Sequence, residues 1–164
     1  MNPATGMRVV HLIDVPDAAP VLSRWFVEAW GPWYGPNGPG DADRDLADCS
    51  SHNAIPICLV AVSPDGEVLG TATLKAESVG SELGGGPWLA AMLVSQEHQG
   101  KGVGTALVEA IETEARRLGY DSIYTSTDTA KSIMERRGWQ AVGSTESLRG
   151  AITVYRRLLA DVER

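Results

Sequence analysis

One segment in the middle of the chain restricts the possible folds more than any other. Pro87 to Val94 is an apolar, strand-sized run that gives way to the polar turn Ser95-Gln96-Glu97-His98-Gln99-Gly100-Lys101-Gly102. An amphipathic helix follows. Val103, Leu107, Val108, Ile111, Ala115 and Leu118 share one face, Glu109, Glu112, Arg116 and Arg117 lie away from its centre, and Gly119 ends it. Strand, glycine turn and helix in this order make an anion-binding arrangement. Gly100, Gly102 and Gly104 remove side-chain bulk where a ligand would approach the backbone. N–H groups of a first helical turn have no intrahelical partner, and with the helix dipole they stabilise a phosphate or pyrophosphate. Lys101 either adds a nearby positive charge or is simply solvated.

Two familiar phosphate motifs fail on spacing. A P-loop places lysine directly between its last glycine and Ser or Thr, whereas Lys101 precedes Gly102 and Thr105 follows a glycine. A dinucleotide fingerprint needs G-x-G-x-x-G, and here the third glycine comes one place early. A purely structural glycine turn stays open at this point.

The 164 residues fit one domain spanning 1–164, and 43% apolar content suits a globular core. The net charge of -7 argues against a nucleic-acid partner, which requires a basic stripe, and allows a cationic small molecule or a basic peptide end. Cys58 lies in the apolar run Ile57-Cys58-Leu59-Val60 and reads as a buried small hydrophobe, so neither a disulfide framework nor a cysteine metal site is expected with Cys49. Met1 to Gly6 lacks the charge and apolar core of a signal peptide, and no apolar run is long enough for a bilayer; a cytoplasmic location is expected.

Periodicity supplies the remaining elements. Met7 to Ile13 reads as a strand, and Asp14 or Asp17 can cap a helix whose apolar face runs from Ala18 to Trp30. Gly31 to Pro36 stops it. Asp41 to Cys49 reads as a short helix capped by Asp41. Strands Ile55–Val62 and Glu67–Leu74 flank the hairpin turn Ser63-Pro64-Asp65-Gly66. After the loop from Glu77 to Gly86 and the central segment come strand Ser122–Thr125, helix Thr129–Arg137, and strands Trp139–Val142 and Ala151–Leu158. The order predicts a mixed α/β domain with a core sheet and helices on both sides.

Gln99-Gly100-Lys101-Gly102-Val103-Gly104 resembles the Q/R-x-x-G-x-G/A signature of the GNAT superfamily of N-acetyltransferases. The resemblance extends over nearly the whole chain. Ala130 through Gly138-Trp139 looks like the family's later helix, Thr153 to Leu158 like its last strand, and Pro87-Trp88-Leu89-Ala90 like the opening of its fourth strand. It implies a central, mostly antiparallel sheet whose fourth and fifth strands part to admit acetyl-CoA. Backbone groups of Met92, Leu93 and Val94 would then face pantetheine, N–H groups from Gln99, Gly100, Lys101, Gly102, Val103, Gly104 and Thr105 would hold pyrophosphate, and Thr127, Ala130 and Lys131 would lie farther along the cofactor.

The chemistry implied is direct attack of a neutral amine on the thioester, with no metal and no cysteine nucleophile. Glu82 is the preferred candidate for the base and Glu77 the second, although each also fits a solvated loop acid. His11 and His52 show no evident relay with an acid. Where many relatives carry a tyrosine to protonate the leaving thiolate, this chain has Met134, which cannot donate a proton. Tyr124 is then the candidate acid, with packing as its other role. Trp33 and Tyr34 are candidates for an acceptor wall. The acceptor is a small-molecule amine or a peptide or protein amine, and a homodimer is possible. A non-catalytic acyl-CoA-binding domain and an unrelated phosphate-binding interaction domain are the alternatives.

Overall fold

The computed structural model describes residues 6–147 and 150–159; residues 1–5, part of the stretch read for a leader, lie outside them. The elements are β1 (Arg8–His11), α1 (Ala19–Ala29), α2 (Gly31–Tyr34), α3 (Ala42–Ala47), β2 (Ile57–Val62), β3 (Val68–Lys75), β4 (Trp88–Val94), α4 (Val103–Arg117), β5 (Ser122–Thr127), α5 (Lys131–Arg136), β6 (Gln140–Ser147) and β7 (Gly150–Leu158). Seven strands form one sheet in the order β1-β2-β3-β4-β5-β7-β6. Every neighbouring pair is antiparallel except β4 and β5. The mixed α/β fold is what the order of elements predicts, and the mostly antiparallel central sheet is what the family resemblance implies.

Strand β2 shows why its sequence is apolar without interruption. Ile57, Leu59 and Ala61 pack into a core that includes Leu107 and Ile111 of α4, whereas Cys58, Val60 and Val62 pack beneath Leu22 and Phe26 of α1 and Leu46 of α3. Successive side chains point to opposite faces, so a strand covered on both sides carries no polar alternation. Helix α4 buries Val103, Leu107, Val108, Ile111 and Ala115 and closes where Gly119, at φ 91°, donates its N–H to Arg116 O.

Several local expectations change. Helix α1 starts without a side-chain cap, because Asp14 and Asp17 lie in two preceding 3-10 turns. Asp41 does cap α3, accepting from the Arg44 N–H at 3.1 Å. The stretch from Gly31 does not merely stop α1 but makes the one-turn helix α2. Glu112, placed off the centre of the apolar face by its charge, is wholly buried. Its carboxylate accepts from Arg137 Nη2 at 2.6 Å, Trp139 Nε1 at 2.8 Å and Arg157 Nη1 at 3.3 Å. A buried charge is tolerated when its lone pairs are filled in this way. The partners lie 25, 27 and 45 residues away, so no local pattern announces them.

Candidate active site

The site begins where β4 and β5 part. They share only the register pairs Trp88↔Tyr124 and Leu89↔Thr125. The other side of β4 stays paired to β3 as far as Gly70↔Val94. Its edge toward β5 is therefore open from Ala90 onward. The register with β3 shifts between Thr71 and Thr73, and Ala91, opposite this shift, has φ 56°. A bulge with one residue in the left-handed region turns the strand locally, a costly conformation for a side chain with Cβ.

A cavity of about 880 Å³ fills the opening. Leu89, Ala90, Ala91 and Met92 form one wall, and Thr125 to Ala130 with Met134 form the facing wall. The mouth is made by Trp30, Trp33 and Tyr34 from the α1–α2 corner, by Glu77 and Ser78 after β3, and by Glu146 and Ile152 from β6 and β7. Trp33 keeps 44% exposure, so this wall still faces solvent. Tyr34 is anchored by donating to Asp45 Oδ2 at 2.5 Å; burial first and that carboxylate second push its hydroxyl pKa well up, so it stays protonated.

Beyond Val94 the chain enters a 3-10 turn, Gln96–His98, braced by His98 Nδ1 against Ser95 Oγ at 2.5 Å and by Gln99 Nε2 donating to Val94 O at 3.2 Å. Gly100 and Gly102 take φ 78° and 86°, and Gly102 is the N-cap of α4. The Ala106 N–H donates to Gly102 O at 3.0 Å. The N–H groups of Val103, Gly104 and Thr105 come before that bond and lie at the positive end of a 15-residue helix. A Cβ on Gly100 would meet nothing within 4 Å, which leaves the turn open. A Cβ on Gly104 would come within 3.1 Å of Ile133 Cδ1, so this glycine serves the packing of α4 against α5. Open backbone donors at a helix start beside a slot between two strands fit an extended ligand with a polyanionic portion.

The sequence profile of the acetyltransferase (GNAT) family matches residues 22–139. The chain belongs to that family. Among solved structures, an aminoglycoside 6'-N-acetyltransferase complexed with coenzyme A superposes with a TM-score of 0.72 at 16% identity, covering 93% of this chain and 97% of that one. The aminoglycoside 6'-N-acetyltransferase from Enterococcus faecium gives 0.70 at 17%, with 93% and 97% covered. A GNAT-family acetyltransferase from Staphylococcus aureus gives 0.68 at 16%, with 93% and 99% covered. At these identities the likeness is one of fold. A search of curated proteins finds no match. The family profile thus makes this a GNAT-fold acetyltransferase and displaces the reading as an unrelated phosphate-binding domain.

The sequence-derived cofactor-site residues of this GNAT chain fall into three groups. Met92 and Thr127 line the cavity, and Thr127 Oγ1 accepts from the N–H groups of Thr129 and Ala130. Leu93 and Val94 continue β4, packing their side chains on opposite faces, while Gln99 to Thr105 form the turn and helix start. Lys131 is exposed at the start of α5.

Glu82 and Tyr124 lie apart from the cavity lining. Glu82 is exposed and accepts from Thr145 Oγ1, a hydrogen bond that lowers its carboxyl pKa. Tyr124 lies tilted against Trp88 with centroids 5.3 Å apart, and a Cβ on Gly84 would strike its ring. Glu77 does reach the cavity, as does Glu146, which sequence reading missed because a hairpin brings it across from 69 residues away.

Two histidine relays were also missed. His11 Nε2 lies 3.1 Å from Glu114 Oε1, and His52 Nε2 lies 3.0 Å from Asp14 Oδ1. The acids are 103 and 38 residues distant. Among the described residues no helix is long and apolar enough to cross a membrane.

Proposed function

We propose that this GNAT chain transfers the acetyl group of acetyl-CoA to a primary amine by direct attack on the thioester. The observation that carries the reading is the parting of β4 from β5 after Leu89↔Thr125, with the open turn at Gly100 to Gly104 at the far end of the same strand. A pantetheine arm lies along the free edge of β4 as an added strand would, and the helix start holds the pyrophosphate. The Met92 or Leu93 N–H is the donor that polarises the thioester carbonyl and stabilises charge developing on its oxygen.

The acceptor amine enters from the mouth between Trp33 and Glu77. Glu77 takes the place first given to Glu82 as the carboxylate that orients the amine or accepts its proton through water, because it lines the cavity and Glu82 does not. No side chain is assigned to protonate the departing thiolate. Met134 presents a buried thioether to the cavity, Tyr124 packs on Trp88, and Tyr155 donates its hydroxyl to Glu135 at 2.9 Å. Water suffices for a leaving group that is stable as its anion.

Acetyl-CoA with a panel of small amines and peptide amines, followed by release of free CoA thiol, tests the proposal. Acceptor-dependent thiol release supports it. Acetyl-CoA binding with no release across the panel would favour a non-catalytic acyl-CoA-binding domain.

A further inference from the structure

Four separate segments bring two imidazoles and two carboxylates together around the end of β1. His11 is the last residue of β1, Asp14 lies in the 3-10 turn after it, His52 in the loop before β2, and Glu114 on α4. His52 Nε2 is 3.0 Å from each oxygen of Asp14, and His11 Nε2 is 3.1 Å from Glu114 Oε1. The two imidazole rings meet edge to face with centroids 4.9 Å apart. One donor atom from each of His11, Asp14 and His52 lies within 4.8 Å of the others. None of the four residues lines the cavity between β4 and β5.

We propose that His11, Asp14 and His52 form a binding site for a divalent transition-metal ion of the zinc class. Two imidazole nitrogens with one carboxylate oxygen suit a borderline ion, whereas calcium and magnesium call for oxygen alone. Bonds of the usual zinc length put tetrahedral donor atoms about 3.3 Å apart. The His52–Asp14 pair already meets that spacing. The donor atoms of all three residues lie within 4.8 Å of one another, and the side chains of His52 and Asp14, 46% and 54% exposed, have room to adjust.

The surroundings prepare this arrangement. Glu114 engages Nε2 of His11, which leaves Nδ1 as the nitrogen for a metal and holds the ring as a carboxylate beside a ligating histidine does. Arg117 pairs with Glu114 at 2.7 Å and bonds Asn53 Oδ1 at 2.9 Å and the His52 carbonyl. The loop bearing His52 is thereby tied to α4 before an ion arrives. A bound ion would clip this loop to the edge of the sheet, with water in its fourth position. Two isolated His–acid pairs would not need the rings to meet. A second group, Glu67, Glu97 and His98, has one imidazole, with its Nδ1 taken by Ser95, and serves as a control.

The test is calorimetric titration of chelator-stripped, tag-free protein with zinc chloride, with cobalt(II) chloride in parallel to read the visible absorption of a low-symmetry site. We expect one ion per chain, a visible cobalt spectrum, and a melting temperature raised by about 5 °C with metal about 100-fold above its Kd. His11→Ala, His52→Ala and Asp14→Asn each weaken binding about tenfold or more, while His98→Ala leaves it unchanged. Circular dichroism checks that each variant is folded, and exposed Asp14→Asn preserves shape if a histidine variant fails to fold. Absence of saturable binding, binding retained in Asp14→Asn and His52→Ala, or binding lost in His98→Ala would overturn the site.

Discussion

The hydroxyl of Thr125 donates to the carbonyl of Leu89 at 2.8 Å, and these two residues are also the last register pair that β4 and β5 share. The hydroxyl is buried and fastens the strands at the point where they begin to part. Beyond it Ala90 to Met92 and Ser126 to Ala130 form facing walls of the cavity.

Thr125→Val keeps the shape and the β-branched backbone preference but removes the donor. We expect a loss of about 1–3 kcal/mol in urea unfolding, the range for leaving a buried acceptor without its partner. Acetyl-CoA affinity should fall as well, because the fork sets the width of the slot. Unfolding curves and acetyl-CoA titration on the same variant measure both effects.

Glu77 and Glu82 make a matched pair for the chemistry. Glu82 lies off the cavity with its pKa lowered by the Thr145 hydroxyl, which makes it a weaker base, while Glu77 lies at the mouth. Glu77→Gln is expected to lower kcat at neutral pH by about 10- to 100-fold, the lower part of the range for a positioned proton acceptor. Part of that loss should return at higher pH as more free amine is present. Glu82→Gln should leave both the rate and its pH profile near wild type. A pH–rate series on the two variants with one acceptor decides between them.

Glu114 gives a pH dependence of stability whose sign follows from its surroundings. Burial would raise its pKa, but Arg117 and then His11 outweigh burial and hold it below the ordinary value of 4.5. A carboxylate depressed in the folded state contributes stability that is fully present above its unfolded pKa and lost as pH falls through the folded one. Stability should therefore decline below about pH 4.5. Glu114→Gln should flatten that decline, as read from melting temperatures between pH 6 and pH 3, a window of about three units around the carboxylate range.

The legible parts of this molecule were those with local causes. Helix α4 was visible in its spacing, α3 in the Asp41 cap, and the β2–β3 hairpin in Ser63-Pro64-Asp65-Gly66, where the Gly66 N–H donates to Ser63 O at 2.9 Å. The glycine turn was legible because its signature is contiguous. At the cavity mouth Trp33, Tyr34 and Glu77 were legible as candidates, whereas Glu146 was not, since only the β6–β7 hairpin brings it there. Proximity in sequence to β4 favoured Glu82, but the 3-10 turn Ser81–Leu83 carries it toward β6. His11 with Glu114 and His52 with Asp14 escaped notice for the same reason: side-chain pairs set by tertiary packing leave no period in the chain.

The account rests on an acyl-CoA bound with its pyrophosphate at the start of α4, and Gly102 offers the most direct measurement. Its φ of 86° strains any other residue, so a single substitution would mix strain with charge. Asn and Asp tolerate the left-handed region alike and differ in charge alone. Acetyl-CoA is titrated calorimetrically into wild type, Gly102→Asn and Gly102→Asp, each shown folded by circular dichroism. We expect wild type to bind, Gly102→Asn to lose modestly, and Gly102→Asp to bind at least about tenfold more weakly than Gly102→Asn, a difference of about 1.4 kcal/mol or more. Equal affinities for the Asn and Asp variants, or no binding by wild type, would contradict the account.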